Sequence, residues 1–385
     1  MRKVRAILLA GILWAGPAYS SAAGQTPAAF RVDTVGSVLV TKNLVTRPYS
    51  APGAVRPNEV FRIGSVSGEA ETFFVGPLMS VSNGPNGQLW VLDQLAYVVR
   101  VFDRDGSFLR EFGRAGRGPG EFESPSALAW SPDGRLWVPE PFGGRYSVFD
   151  SLGTFEKTVP RPFLGGVNRR VYPAAFGADG LLLDHASDRE GAVIIRVDST
   201  GTVLESFPPM LYGPNPLAGT LTVGRDPEWI DAIRRFRPSL RWTLAPDGTL
   251  WMARTNSLRL INRTLEGDTL RIIETLHRPP VFSQAERDVV RRVSRMYESI
   301  TLSPMVIQSL HASDDGLLFV QIAGEMGESG REIDVFGQEG QYLGSFELEL
   351  PIQPLSQSHF VGGYFSYVGI GPFDVPIVVR TRVGG

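Results

Sequence analysis

The chain of 385 residues holds four histidines, His185, His277, His311 and His359, and no cysteine. Histidine changes charge near neutral pH and is the commonest metal ligand, so its placement limits the reactions open to the chain. The four are scattered over separate segments, and no His-Glu-x-x-His, Gly-x-Ser-x-Gly or phosphate-loop pattern occurs. That leaves no motif for metal-assisted, acyl or phosphoryl chemistry. One adjacent pair is unusual: Asp184, followed by His185, falls where the corresponding segments carry Val91, Val138, Met252 and Val320. A buried carboxylate must find partners, take up a proton or escape burial. We therefore expect the strand to end or bulge at Asp184, with the carboxylate reaching a backbone amide or an arginine; a metal or catalytic role is the competing reading.

Arginine dominates the remaining chemistry, since lysine occurs only at Lys3, Lys42 and Lys157 among 38 basic residues. A GC-rich genome produces such a bias, and so does a need for planar, bidentate contacts to anions. The candidate ligand-binding set is Arg117, Glu123, Arg170, Tyr172, Arg237, Arg241 and His311. Two readings stand side by side. Either these arginines hold an anionic group, or they pair with acids such as Glu121, Glu123 and Asp226 and tie structural units together. A formal charge of −2 supplies no basic face for nucleic acid.

The elements that must position these groups follow from a period. Turn glycines recur at Gly87, Gly134, Gly180, Gly248 and Gly316, once as Asn-Gly and four times as Asp-Gly, the strongest local signal for a hairpin. A second turn glycine follows each, at Gly106, Gly153, Gly201, Gly267 and Gly340. Each unit thus reads as a four-stranded antiparallel meander. Just after the first turn stand Leu89-Trp90, Leu136-Trp137, Leu182-Leu183, Leu250-Trp251 and Leu318-Phe319. Neighbours on a strand face opposite ways, so each unit is apolar on both faces and must be sandwiched. A ring of blades does this without exposed ends. A sixth unit is expected from the β-rich C-terminal runs together with an N-terminal strand near Phe61 to Val66.

The connector Gly113-Arg-Ala-Gly-Arg-Gly-Pro-Gly-Glu-Phe122, followed by Pro125, Ser131-Pro-Asp-Gly-Arg-Leu-Trp-Val138 and Val148-Phe-Asp150, resembles the NHL-repeat six-bladed β-propellers of secreted bacterial type. The match is specific over residues 76–160 and degenerate beyond. The resemblance implies an all-β, six-bladed β-propeller of four-stranded blades. Relatives that are enzymes hold zinc through histidines of separate blades, or calcium through acidic and asparagine side chains; only His185 and His311 imitate part of the first set. No cofactor is expected for a binding propeller, and calcium or zinc belongs to the enzymatic alternative.

The expected layout is a signal peptide over 1–24, a poorly ordered lead-in over 25–57 in which Val32 to Leu39 can add an edge strand, and one propeller domain over 58–385. Its repeats fall near 76–112, 124–160, 170–207, 240–276 and 308–348, and the closing blade takes 358–385 plus the N-terminal strand. Two helical insertions are expected between later blades: one opened by Asp226 and Pro227, the other by a Ser283/Glu286 capping box with Val289, Val290, Val293, Met296, Tyr297 and Ile300 as its apolar stripe. The stripe packs on the rim or meets a partner. All variable loops share one face with the mouth of the channel, and binding residues concentrate on such loops. The expectation is an exported, periplasmic or extracellular monomer with no membrane span once the signal is removed. It binds a protein, a polymer or an anionic small molecule at that face. The alternatives are a metal-dependent hydrolase or lyase in the channel, and a structural module of the cell envelope.

Overall fold

The computed structural model describes residues 30–44, 57–64, 72–76, 79–162, 174–187, 192–207, 235–276, 281–296, 302–324, 330–353, 356 and 358–383. They form six antiparallel blades, each running from an inner to an outer strand. Blade 1 is Met79–Asn83, Leu89–Asp93, Val98–Phe102 and Phe108–Phe112. Blade 2 is Ala129–Trp130, Leu136–Glu140, Arg145–Phe149 and Phe155–Pro160; blade 3 is Ala175–Phe176, Leu182–Ser187, Ala192–Val197 and Val203–Phe207. Blade 4 is Leu240–Leu244, Leu250–Arg254, Arg259–Arg263 and Thr269–Thr275; blade 5 is Ile307–Ala312, Leu318–Ile322, Glu332–Phe336 and Tyr342–Glu347. Blade 6 takes His359–Val361, Tyr364–Ile370 and Pro376–Val383 from the C-terminal end and Pro57–Ile63 as its outer strand.

The paired apolar residues of each second strand do build the ring. Leu89 packs with Val368 and Val378 of blade 6, whereas its neighbour Trp90 packs with Leu136, Val138 and Phe149 of blade 2. Trp137 then faces Leu182 of blade 3, and Leu183 faces Trp242, Leu250 and Met252 of blade 4. Ala253 and Leu318 share the core between blades 4 and 5, and Phe319 meets Phe360 and Phe365 of blade 6. Every blade is thus buried on both sides. Burying one such side chain contributes about 1.5–3 kcal/mol, so six inter-blade cores hold the ring without a disulfide.

The second turn glycines have a steric cause. A Cβ on Gly153 would stand 2.5 Å from Phe112 of the preceding blade, and one on Gly201 would stand 2.0 Å from the carbonyl oxygen of Pro160. Both glycines also hold positive φ, 87° in each case, where side chains are strained.

Three features refine the expected layout. Within 25–57, Phe30–Val35 and Val38–Asn43 form an ordered hairpin, and Val38–Asn43 pairs in parallel with the outer strand of blade 4. The Asn43 side chain donates to the carbonyl of Gly340 (3.0 Å) and accepts from the Tyr342 amide (2.7 Å), which fastens the hairpin to blade 5 as well. Among the described residues one helix is longer than a single turn, α1 (Gln284–Met296). Its capping box is formed, the Ser283 amide donating to Glu286 (2.8 Å) and the Glu286 amide to Ser283 Oγ (3.2 Å). Val289 and Val293 bury against Phe236, so the stripe is packed; Tyr297 and Ile300 lie outside the described residues. Of the other expected helix, only Arg235 and Phe236 are described, and both are helical.

Candidate functional site

The strongest charges inside the ring grip its connections. Asp93 ends the second strand of blade 1 and is fully buried; it accepts from the amides of Val75 (2.8 Å) and Ala96 (3.2 Å) and pairs with Arg100 (3.5 Å). Glu140 holds the equivalent place in blade 2, accepting from the Glu123 amide (2.7 Å), Ser147 Oγ (2.5 Å) and Arg145 Nε (2.9 Å). Arg145 in turn donates to the carbonyls of Arg117 (2.8 Å) and Glu121 (2.9 Å). Each acid therefore holds the segment that enters its own blade. These two acids escaped the sequence reading, although a carboxylate six residues past the turn glycine in both blades was the available signal.

Asp184 belongs to this group. The strand neither ends nor bulges there: it continues to Ser187, with Asp184 paired to Ile195 and His185 to Ile194. The buried carboxylate accepts from Tyr146 Oη (2.8 Å) and Arg161 Nε (2.8 Å), both of blade 2. Burial, together with the charge of Asp184, pushes the Tyr146 hydroxyl up, so it stays protonated and donates. The arginine partner expected from sequence is present, and its role is to join two blades.

Two of the candidate arginines, Arg117 and Arg241, are engaged within the protein. Arg117 lies exposed on the connector and donates to Glu123 (2.9 Å). Arg241, on the inner strand of blade 4, donates to the carbonyl of Gln308 on blade 5 (2.6 Å) and to Ser239 Oγ (2.9 Å). Arg237 is half-buried beside Phe236. Arg170 and Tyr172 lie outside the described residues. Arg117 and Glu123 sit in the connection between blades 1 and 2, whereas Arg241 and His311 sit together on the inner strands of blades 4 and 5.

A different polar group gathers on the inner strands of blades 5, 6 and 1. His311 Nε2 lies 2.8 Å from Ser309 Oγ, and Ser309 donates to Gln321 Oε1 (2.7 Å). The Gln321 amide nitrogen donates to the carbonyl of Gly330 (2.9 Å). A carbonyl only accepts, so the direction of the whole relay is set: His311 must donate its Nε2 proton to Ser309. His359 Nδ1 accepts from the Asn83 amide (2.8 Å) and lies 3.3 Å from Ser82 Oγ. Both rings are half-buried. Desolvation, and then the charge of His359, pull His311 down to about 4; desolvation does the same to His359, against the opposing pull of Asp314. At neutral pH both imidazoles are uncharged.

His359 carried no sequence signal used above, because blade 6 turns through Gly362-Gly363 and not Asp-Gly; Gly-Gly is itself a hairpin signal. Among the described residues no group of three or more histidine, aspartate or glutamate side chains stands close enough to hold a metal ion. One nitrogen of each imidazole is engaged, by Ser309 in His311 and by the Asn83 backbone amide in His359.

Comparison with known proteins places the fold. No family model matches the chain, and no curated protein sequence does. A Bacteroides fragilis protein named as exported is similar over 90% of this chain and 100% of its own, with TM-score 0.52 and 13% identity. A DUF4221 family member from Bacteroides vulgatus covers 86% of this chain and 99% of its own, with TM-score 0.52 and 12% identity. A Staphylococcus aureus virginiamycin B lyase reaches TM-score 0.44 at 14% identity, covering 79% of this chain and 80% of its own. Likeness at these identities concerns the fold alone. Among the described residues no helix is long and apolar enough to cross a membrane. The chain is a six-bladed β-propeller of four-stranded antiparallel blades.

Proposed function

We propose that the protein is an exported propeller of NHL type that acts as a binding scaffold, taking a ligand or partner at its loop-rich face and the mouth of its channel. The direction of the Ser309 hydrogen bond carries this reading. A serine nucleophile must give its proton to a base, and Ser309 gives its proton to Gln321 instead. The neighbouring imidazole is a donor to Ser309 and is neutral, an arrangement suited to holding a ligand. The buried acids are occupied by connector amides and arginines, which supports a structural part for them. The basic, apolar and small-residue order of Met1 to Gly24 supports export, and the Gly113–Phe122 connector supports the NHL assignment.

The test pairs a thermal-shift and calorimetric screen of the protein with product analysis of every ligand that binds. The expected result is saturable stabilisation by one ligand or partner, which is recovered unchanged. Turnover of a bound ligand would overturn the scaffold reading in favour of a hydrolase or lyase.

A further inference from the structure

The hydrogen bonds that set the two imidazoles leave them with complementary outer faces. His311 donates through Nε2 to Ser309, so its Nδ1 is an acceptor. His359 accepts through Nδ1 from the Asn83 amide, so its proton sits on Nε2 and is a donor. No hydrogen bond among the described residues joins the two rings, although His359 lies near enough for its charge to be felt by His311. A third group adds to them. Asn83 uses its Oδ1 to accept from Arg380 (3.0 Å), while its Nδ2 is buried with no partner among the described residues. Native buried donors are rarely left so, and this one belongs to the residue whose backbone amide fixes the His359 tautomer.

The geometry points to this cluster, on the inner strands of blades 5, 6 and 1, as a binding site for a small uncharged ligand rich in hydroxyl groups, a sugar or polyol. A hydroxyl both donates and accepts at one oxygen, so it can give its proton to His311 Nδ1 and accept from His359 Nε2. An anion would meet the lone pair of His311 and the nearby carboxylate of Asp314, which already accepts from the Gly362 amide (2.8 Å). A cation would meet the N–H donor of His359. Phe365, edge-on to His311 with ring centroids 5.2 Å apart, holds that imidazole in place. The inference rests on the scaffold reading above and names a ligand class, but it sets the site at the tight-turn end of the inner strands, where His311 precedes the Ser313–Gly316 turn and His359 the Gly362-Gly363 turn, and not at the loop-rich face.

The experiment uses the full chain labelled with ¹⁵N, in which only four imidazoles contribute. At pH 7 the side-chain spectrum should show His311 and His359 neutral and protonated on Nε2, with assignments from His311→Gln and His359→Gln. Glucose, sorbitol and, as a charged control on the same carbon skeleton, sodium gluconate are titrated separately. We expect glucose or sorbitol to shift His311 Nδ1 and His359 Nε2 with roughly millimolar or better affinity, and gluconate to leave both unmoved. Either glutamine variant should weaken binding by at least about tenfold, an ordinary cost for losing one hydrogen bond in a desolvated site. Failure of both neutral ligands to move these two nitrogens, or a shift with gluconate alone, overturns the inference, and the wild-type titration decides this even if a variant folds poorly. A ligand or partner that binds wild type and both variants alike would overturn this site while leaving the scaffold reading intact.

Discussion

Blades 1 and 2 differ from blades 5 and 6 in what they do with polar side chains at similar depth. In the first pair, Asp93 and Glu140 are ionic clamps: each takes amides of the incoming connection and an arginine of the third strand. In the second pair the corresponding region carries Gln321 and Ser366, both buried, and two neutral imidazoles. The glycine-rich connection between blades 1 and 2 has little apolar surface with which to anchor itself, so a carboxylate must hold its backbone. Blade 5 is entered by a segment held through backbone bonds, Val306 and Ile307 donating to the carbonyl of Thr255 (2.6 and 3.0 Å). Charge pairing serves the architecture in one half, and uncharged donors and acceptors are presented in the other.

Removing a clamp should have the largest effect. Glu140→Ala leaves Arg145 without its carboxylate and the Glu123 amide without its acceptor; we expect a loss of about 3–5 kcal/mol in urea unfolding. Glu140→Gln should cost less, and a cost near zero for alanine would dissolve the contrast between the halves.

Acid should act on the other half. Folded His311 and His359 titrate at about 4, below the usual 6.5 of an unfolded imidazole. The unfolded chain therefore binds the extra protons between these values, so stability present above about pH 6.5 is lost as pH falls toward 4 and levels off below it. A full shift amounts to about 3 kcal/mol per ring; the partial exposure of both rings reduces this, and we expect about 3 for the two together. His311→Gln combined with His359→Gln should flatten that part of the stability profile.

A break in the relay is expected to be milder. Ser309→Ala strips Gln321 Oε1 and His311 Nε2 of their shared partner, for a loss of about 1–3 kcal/mol, together with a visible change in the His311 ¹⁵N shifts. Smallest of all is Arg117→Ala, which removes an exposed pair with Glu123. Unfolding free energy should move by no more than about 0.5 kcal/mol; a loss comparable to that of Glu140→Ala would place Arg117 among the clamps.

Much of the ring was legible from local rules. Asp133-Gly134 and its counterparts announce hairpins, and Leu136-Trp137 announces burial on both faces, because φ > 0 and strand alternation are properties of single residues and their neighbours. The closing strand was legible in kind, with limits at Pro57–Ile63 where Phe61 to Val66 was expected. The ordered hairpin at Phe30–Asn43 was less so, since its stability comes from Asn43 meeting Gly340 and Tyr342, far away in the chain. Asp184 shows the same limit: its neighbours in sequence argued for an interrupted strand, and its neighbours in space, Tyr146 and Arg161, removed the reason for one.

What the sequence determined by itself was therefore the period, the blade and the closure of the ring, all encoded in spacings of a few residues. Tertiary structure alone decided which polar groups are spent and which are offered. His311 and His359 come close only when inner strands from consecutive blades are brought together around the channel. Their protonation is set by partners such as Gly330 and Asn83, which no spacing rule connects to them. Hydrogen-bond direction and desolvation belong to the assembled ring, and the chemistry of the site belongs there with them.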